Sequence, residues 1–407
     1  DTMIGGDGDD IYYVDQAYIT GKGNEGLGNG QDAPPPGHDT NQNDGPGTSP
    51  GNPGSRGGNS GGGGNNSNPI SASSYDVVTE YLNQGYDKVF ASASYTLTPH
   101  VEALELTGRN DLSGAGNSLD NWIVGNSGVN TLDGKEGNDL LSAGDGNDIV
   151  YGGAGNDVLE GQNGDDTLDG GDGMDALFGG LGNDTLRSGT GQGLLAGGKG
   201  NDELYAANAA TVIAFNKGDG IDTLYTMGAQ KITLSLGGGL KYEDIKISRT
   251  GNDLFLTFNT SATDRIKVSD YYKTQAAQRP AFEVQMLTEA SSSYLPTGSD
   301  VLIDQKIERF NGTQLIADFD RAYQATSNLR GGNQWAVMGS LLSAHLGGSN
   351  SMVMGGDLAY QYGQTTGIAG MSMLAANNAL SNTNFASATQ VLQANAMVSI
   401  GSPRLAG

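Results

Sequence analysis

Residues 125–205 divide into consecutive nines with no slip in register: GNSGVNTLD, GKEGNDLLS, AGDGNDIVY, GGAGNDVLE, GQNGDDTLD, GGDGMDALF, GGLGNDTLR, SGTGQGLLA and GGKGNDELY. Position 4 is Gly in all nine. Position 8 is always aliphatic: Leu132, Leu141, Val150, Leu159, Leu168, Leu177, Leu186, Leu195 and Leu204. Position 6 is Asp139, Asp148, Asp157, Asp166, Asp175, Asp184 or Asp202, with Asn130 and Gly193 as the exceptions. A solvated Gly/Asp loop would not keep Leu or Val at every ninth position. A nine-residue unit cannot bury its one apolar side chain alone, so the units must stack.

Each nine splits into a six-residue turn and a three-residue strand. Glycine allows positive φ and close backbone approach, so the turn can aim its carbonyls at one point. One side chain per strand points inward. Two nonapeptides complete a coil of 18 residues, which puts repeat n under repeat n+2. One edge of such a stack carries Asn130, Asp148, Asp166, Asp184 and Asp202; the other carries Asp139, Asp157, Asp175 and Gly193. The complete pairs are then 148/166, 166/184, 184/202, 139/157 and 157/175, while 130/148 has an amide and 175/193 has no side-chain ligand. The carboxylates are joined by turn carbonyls of Gly137, Gly146, Gly155, Gly164, Gly173, Gly182 and Gly200 at position 4. Those of Gly144, Gly153, Gly171, Gly180 and Gly198 at position 2 complete the set. Such hard oxygen donors suit Ca²⁺, at about five complete sites and up to seven. Without a cation the rows of like charge would repel.

The nonapeptide G-G-x-G-x-D-x-U-x resembles the repeat of the RTX (repeats-in-toxin) haemolysin-type calcium-binding proteins. That resemblance implies an all-β fold: a calcium-stacked parallel β-roll, flanked by short β capping regions, with a disordered insertion and a small C-terminal tail domain.

The formal net charge is −25, and residues 125–205 hold 15 acidic against three basic side chains. This field disfavours nucleic acid and anionic membrane surfaces and favours cations. The chain has no Cys, which fits a secreted protein stapled by metal. There is no run of 18 apolar residues, so no transmembrane segment is expected. The chain begins at Asp1, inside a repeat and without a signal-peptide pattern, as the C-terminal part of a longer chain would.

Residues 1–17 hold one further nonapeptide, Gly5 to Tyr13, whose Asp10 is expected to be a half-site without a stacked partner. Residues 18–72 are rich in Gly, Asn, Pro and Ser and too poor in apolar side chains to offset ordering entropy, so they read as a disordered insertion. GNSGG at 58–62 matches the nucleophile-elbow pattern by chance, with no strand before it and no helix after. Residues 73–124 resemble the spacer of large bacterial RTX proteins, in DVVTE at 76–80, Gly85-x-Asp87 and SYTL at 94–97, and are expected to be N-terminal capping strands. GNSLDNWIV at 116–124 resembles a degenerate first coil, with Asn121 at the ligand position.

The roll is assigned to 125–210 and a cap, similar to the haemolysin-type calcium-binding related domain, to 211–330. FNKGDGIDTL at 215–224 resembles the family's exit motif and makes Asp219 and Asp222 weaker metal candidates. ITLSL, IKISR, LFLTF and RIKVS alternate as strands, with a turn at Gly251-Asn252-Asp253. An open roll end presents unpaired edges and needs such a cover. An element at 301–320 resembles one that ends D-G-T in that family, with Asn311 in place of the Asp. Residues 331–407 carry only Asp357 and Arg404 as charges and resemble the C-terminal export signals of type I-secreted RTX proteins.

No catalytic constellation is present. His38, His100 and His345 are not in H-E-x-x-H, and there is no Cys nucleophile, serine triad or P-loop. The resemblance implies a calcium-binding module, exported by a type I exporter, that folds on Ca²⁺ outside a Gram-negative cell, secreted or associated with its surface. It leaves open whether the module belongs to a toxin, a hydrolase or an adhesin whose active part lies upstream.

Overall fold

The computed structural model describes residues 2–5, 8–14, 76–82, 84–207, 210–228, 230–258, 264–291, 294–331 and 333–349, with 353–354, 359, 362 and 391–392. The expected insertion at 18–72 and most of the expected export tail lie outside the described residues.

The chain winds as a parallel β-solenoid of about eight turns. Successive strands alternate between two sheets. In the 125–205 block the first sheet holds Leu140–Asp145, Val158–Asn163, Asp175–Leu181 and Gly193–Lys199, and the second holds Thr131–Glu136, Ile149–Ala154, Thr167–Asp172, Thr185–Arg187 and Glu203–Ala207. Leu141 pairs with Leu159, Leu159 with Leu177 and Leu177 with Leu195. Val150 pairs with Leu132 and Leu168 on the other sheet. The offset is 18 residues, as the nine-residue period demands.

All nine position-8 side chains are fully buried in one continuous column. Fully burying a Leu or Val stabilises by roughly 1.5–3 kcal/mol. Most strands are six or seven residues, not the expected three. The ladder skips position 1 and resumes at position 2, where Gly153 pairs with Gly171 and Gly180 with Gly198. Position 2 needs a positive φ, between +93° and +116° at Gly144, Gly153, Gly171, Gly180 and Gly198. Lys135 (83°) and Gln162 (78°) hold the same left-handed backbone despite their side chains, at roughly 1–2 kcal/mol each.

The solenoid outruns the regular repeats at both ends. Lys88–Ala91, Ala103–Leu106 and Trp122–Val124 extend the first sheet, and Tyr95–Thr96 and Ser113–Ala115 the second, all parallel. From Lys88 on, the N-terminal capping strands expected over 73–124 thus lie in the same two sheets as the regular repeats. The pairing requires only an extended segment of matching length, which this stretch supplies without the full glycine pattern. Ile11–Val14 stacks on Lys88–Ala91, 77 positions further along the chain.

Beyond Tyr205 the parallel stack continues through Ala210–Asn216, Lys231–Gly237 and Ala281–Met286 on one sheet and Ile221–Met227 and Arg265–Val268 on the other. Then the direction changes. Arg265–Val268 pairs antiparallel with Asp253–Phe258, which pairs with Ile245–Thr250. Ala281–Met286 pairs antiparallel with Ile307–Asn311, followed by His345–Ser349. The helix Gly312–Ala325 buries Leu315, Ile316 and Phe319 against this end. Asn311 is its N-cap, with Oδ1 accepting from the Gln314 N–H at 3.0 Å, a role that Asn and Asp fill equally well. His345 packs against this end, with its Nε2 2.7 Å from Oε2 of fully buried Glu308.

Candidate metal centre

Two glycine columns set the turn. Position 4 has a φ between +118° and +146° at Gly137, Gly146, Gly155, Gly164, Gly173 and Gly182. A β-carbon on Gly155, Gly164, Gly173, Gly182 or Gly200 would run into the carbonyl oxygen of the position-4 glycine one coil back. Backbone conformation and stacking both therefore require glycine there.

The stacked turns aim position 6 inward. The Asp139 N–H donates to Asp157 Oδ1 at 2.8 Å, Asp157 to Asp175 at 3.0 Å, Asp148 to Asp166 at 2.7 Å, Asp166 to Asp184 at 2.8 Å, and Asp184 to Asp202 at 2.8 Å. All five pairs inferred from the n/n+2 rule are thus brought together, in two rows along the two sides of the roll. The seven Asp side chains are at most 2 % exposed.

In each of the seven, Oδ1 accepts one backbone N–H while Oδ2 is buried without a hydrogen-bond partner among the described residues. A buried polar atom left unpaired costs on the order of 1–3 kcal/mol, more when charged. Burial accordingly pushes these carboxyls up from the ordinary value near 3.8, to about 8 for Asp139, Asp175 and Asp184, about 7 for Asp157 and Asp166, and about 6 for Asp148 and Asp202. Neighbouring carboxylates add to the shift, and the single backbone N–H offsets part of it.

The space these oxygens face is set by position 1. A β-carbon on Gly134 would meet Asp139 Oδ2 and the Gly152 carbonyl, and one on Gly161 would meet Asp166 Oδ2 and the Gly179 carbonyl. Gly179 repeats this with Asp184 Oδ2 and the Gly197 carbonyl. An orphaned carboxylate oxygen and a carbonyl oxygen from the next coil thus converge where a side chain would otherwise be. This donor set fits a hard, oxygen-preferring divalent cation. The position-1 glycines were not among the residues expected from sequence, although the first Gly of the G-G pair was their signal.

The exceptions are filled differently. Asn130 Oδ1 accepts from the Asn126 N–H at 2.7 Å, and its Nδ2 donates to Asn126 Oδ1 at 3.0 Å. Asn121 likewise accepts from the Asn117 N–H and donates to the Val101 carbonyl. The amides satisfy themselves and leave no orphaned oxygen. Opposite Gly193, the Asp175 N–H turns to the Gln192 carbonyl at 3.2 Å.

Further along, Gly220 stacks on Gly200, and the Asp202 N–H donates to Asp222 Oδ1 at 3.2 Å. Residues 217–225, KGDGIDTLY, form a tenth repeat after a coil two residues longer, and Asp222 is its position 6. Asp219 is not on the ladder: its Oδ2 accepts from the Asn216 N–H at 2.6 Å and the Tyr362 hydroxyl at 2.8 Å.

Asp10 does have a stacked partner, contrary to the expectation. Its N–H donates to Asp87 Oδ1 at 2.8 Å, and the Asp87 N–H donates to Glu102 Oε2 at 2.8 Å. LNQGYDKVF at 82–90 carries Gly, Asp and Val at positions 4, 6 and 8, a repeat hidden by the sequence that separates it from residues 5–13.

A family model, the RTX calcium-binding nonapeptide repeat, matches in four copies at residues 1–16, 115–150, 124–159 and 151–186. No curated protein matches the chain. The family matches cover both the isolated first repeat and the centre of the carboxylate ladder. Repeat, register and roll together show that this chain carries RTX calcium-binding nonapeptide repeats wound into a parallel β-roll.

Proposed function

We propose that the roll is the calcium-binding module of a secreted protein and that it folds on Ca²⁺ after export by a type I exporter. The observation that carries this reading is the set of seven buried Oδ2 atoms without hydrogen-bond partners among the described residues. Each aspartate of the complete pairs 148/166, 166/184, 184/202, 139/157 and 157/175 would supply one such oxygen, and the position-1 carbonyls would supply others. A bound cation compensates the charge that burial otherwise penalises. Extracellular calcium modules bind with Kd of roughly 10⁻⁴–10⁻³ M. At ten times Kd each site contributes about 1.4 kcal/mol. Several sites together then approach the ~5–15 kcal/mol of a whole domain.

In cytosol, where calcium is scarce, the repeats are an expanded polyanion suited to a narrow exporter. The low-charge tail is the export signal, and the roll does no bond chemistry itself, since its carboxylates are committed to backbone N–H groups and to the ion. Far-UV circular dichroism of the full chain in EGTA and in millimolar Ca²⁺ tests the central part. A β signal that grows on adding calcium is expected; an unchanged signal would sink it.

A further inference from the structure

We propose that Asp10, Glu80 and Asp87 form a separate Ca²⁺ site, distinct in its ligand set from the ladder, which clasps residues 2–14 onto the roll. One carboxylate oxygen from each residue lies within 4.8 Å of the other two. Asp87 is 1 % and Glu80 5 % exposed. Asp10 and Asp87 repeat the ladder geometry: the Asp10 N–H donates to Asp87 Oδ1 at 2.8 Å, and the Tyr86 N–H to Asp9 Oδ1 at 2.9 Å.

Glu80 has no counterpart in the regular repeats. It follows the strand Val77–Thr79, which pairs in parallel with Thr2–Ile4. Its Oε1 accepts the Tyr12 hydroxyl, and its Oε2 is buried with no hydrogen-bond partner among the described residues. The nearby ammonium does not neutralise the group, because Lys88 Nζ is paired with Glu105 at 2.7 Å and sits over the rings of Phe90 and Trp122. Two buried carboxylates, Glu80 and Asp87, this close together would be strongly unfavourable without a cation. Carboxylate oxygens alone select a hard cation, and Ca²⁺ accepts irregular geometry more readily than Mg²⁺.

Two consequences follow from the ligand set. Three carboxylates instead of two favour tighter binding than at the ladder, since affinity rises with ligand charge. The ligands lie up to 77 positions apart, so the ion joins parts of the chain that are distant in sequence. The proposal rests on the calcium reading of the roll only for the choice of cation.

The test uses the full chain with Ca²⁺ alone, in three forms: wild type, Glu80→Gln and Asp87→Asn. In Glu80→Gln the amide oxygen would still accept the Tyr12 hydroxyl, and in Asp87→Asn it would still accept the Asp10 N–H. Both substitutions therefore remove charge with little change of shape. Isothermal titration should show each variant losing one ion from the tight end of the isotherm, with the circular-dichroism midpoint of the roll within about twofold of wild type. In a second arm, each chain is cut once at a protease site engineered between residues 18 and 72. The N-terminal fragment should co-elute with the rest in millimolar Ca²⁺ for wild type and separate for Glu80→Gln. An unchanged ion count and retained fragment in both variants would overturn the site while leaving the ladder intact. Loss of the roll's β signal in either variant would equally overturn a separate site. A wild type without any calcium response would instead sink the reading of the ladder.

Discussion

Asp166 and Asp175 hold the same place in the repeat but not the same neighbours. Asp166 is bonded to Asp148 on one side and Asp184 on the other, while Asp175 meets Asp157 and then Gly193. Asp166→Asn should therefore weaken two ions and Asp175→Asn about one, read as ion count by isothermal titration. Equal losses would mean that the coils are not paired as n and n+2. The gap at Gly193 is instructive because its φ is ordinary, so the backbone alone does not forbid a β-carbon. What blocks it is Ser188, whose Cβ would lie 3.0 Å from that β-carbon and which replaces the position-1 Gly. Gly193→Asp alone should gain no ion, whereas Gly193→Asp with Ser188→Gly should gain one. A full extra ion in the single variant would show that Ser188 is not the obstacle.

The same carboxyls set a pH dependence. Their values in the metal-free fold lie at about 6 to 8, above the ordinary value near 3.8, because burial disfavours the charged form. A raised value contributes stability that is fully present below about pH 4 and is lost as pH rises through 6 to 8. Calcium binds only the ionised form. Protons should therefore substitute for calcium: in its absence the β signal should be stronger at pH 4.5 than at pH 8. With calcium present, the calcium midpoint should rise as pH falls from 8 to 6. A metal-free roll that is most ordered at pH 8 would contradict the burial argument.

At the scale of the coil, the position-8 column and the position-6 ladders were legible because both repeat every nine residues without interruption. Leu168 is fully buried between Val150 and Leu186. Leu168→Ala should cost about 2–5 kcal/mol and raise the calcium midpoint, as measured by chemical denaturation at fixed calcium. What was not legible depended on long-range pairing. Asp10 reads as a half-site in the sequence because Asp87 is 77 positions away, yet Gly85, Asp87 and Val89 sit at repeat spacing. Glu80 carries no periodic mark, since it follows a strand outside the nonapeptides. Asp222 was legible only as a weaker candidate, because a coil two residues longer takes it out of the nine-residue register, and the change from parallel to antiparallel pairing at the cap leaves no trace in strand alternation.

For the whole molecule, the −25 charge sets up a field that favours cations. The described part of the tail touches the stacked form. Tyr362 donates to Asp219, and its carbonyl accepts from Asn216 Nδ2 at 2.6 Å. Ala359 and Tyr362 share an apolar cluster with Phe178, Leu194 and Val212 on the outer side of the first sheet. Removing residues 350–407 should leave the calcium count unchanged, expose that cluster to a hydrophobic dye, and abolish export. Unchanged dye binding would argue against this docking, and normal export would move the signal elsewhere. The most direct test of the calcium ladder is the number of Ca²⁺ ions held by the full chain at pH 7.5 in equilibrium dialysis. The pairs from 139/157 to 202/222 predict about six, with one more if the Asp10–Glu80–Asp87 clasp holds; one ion or none would contradict a ladder of calcium sites.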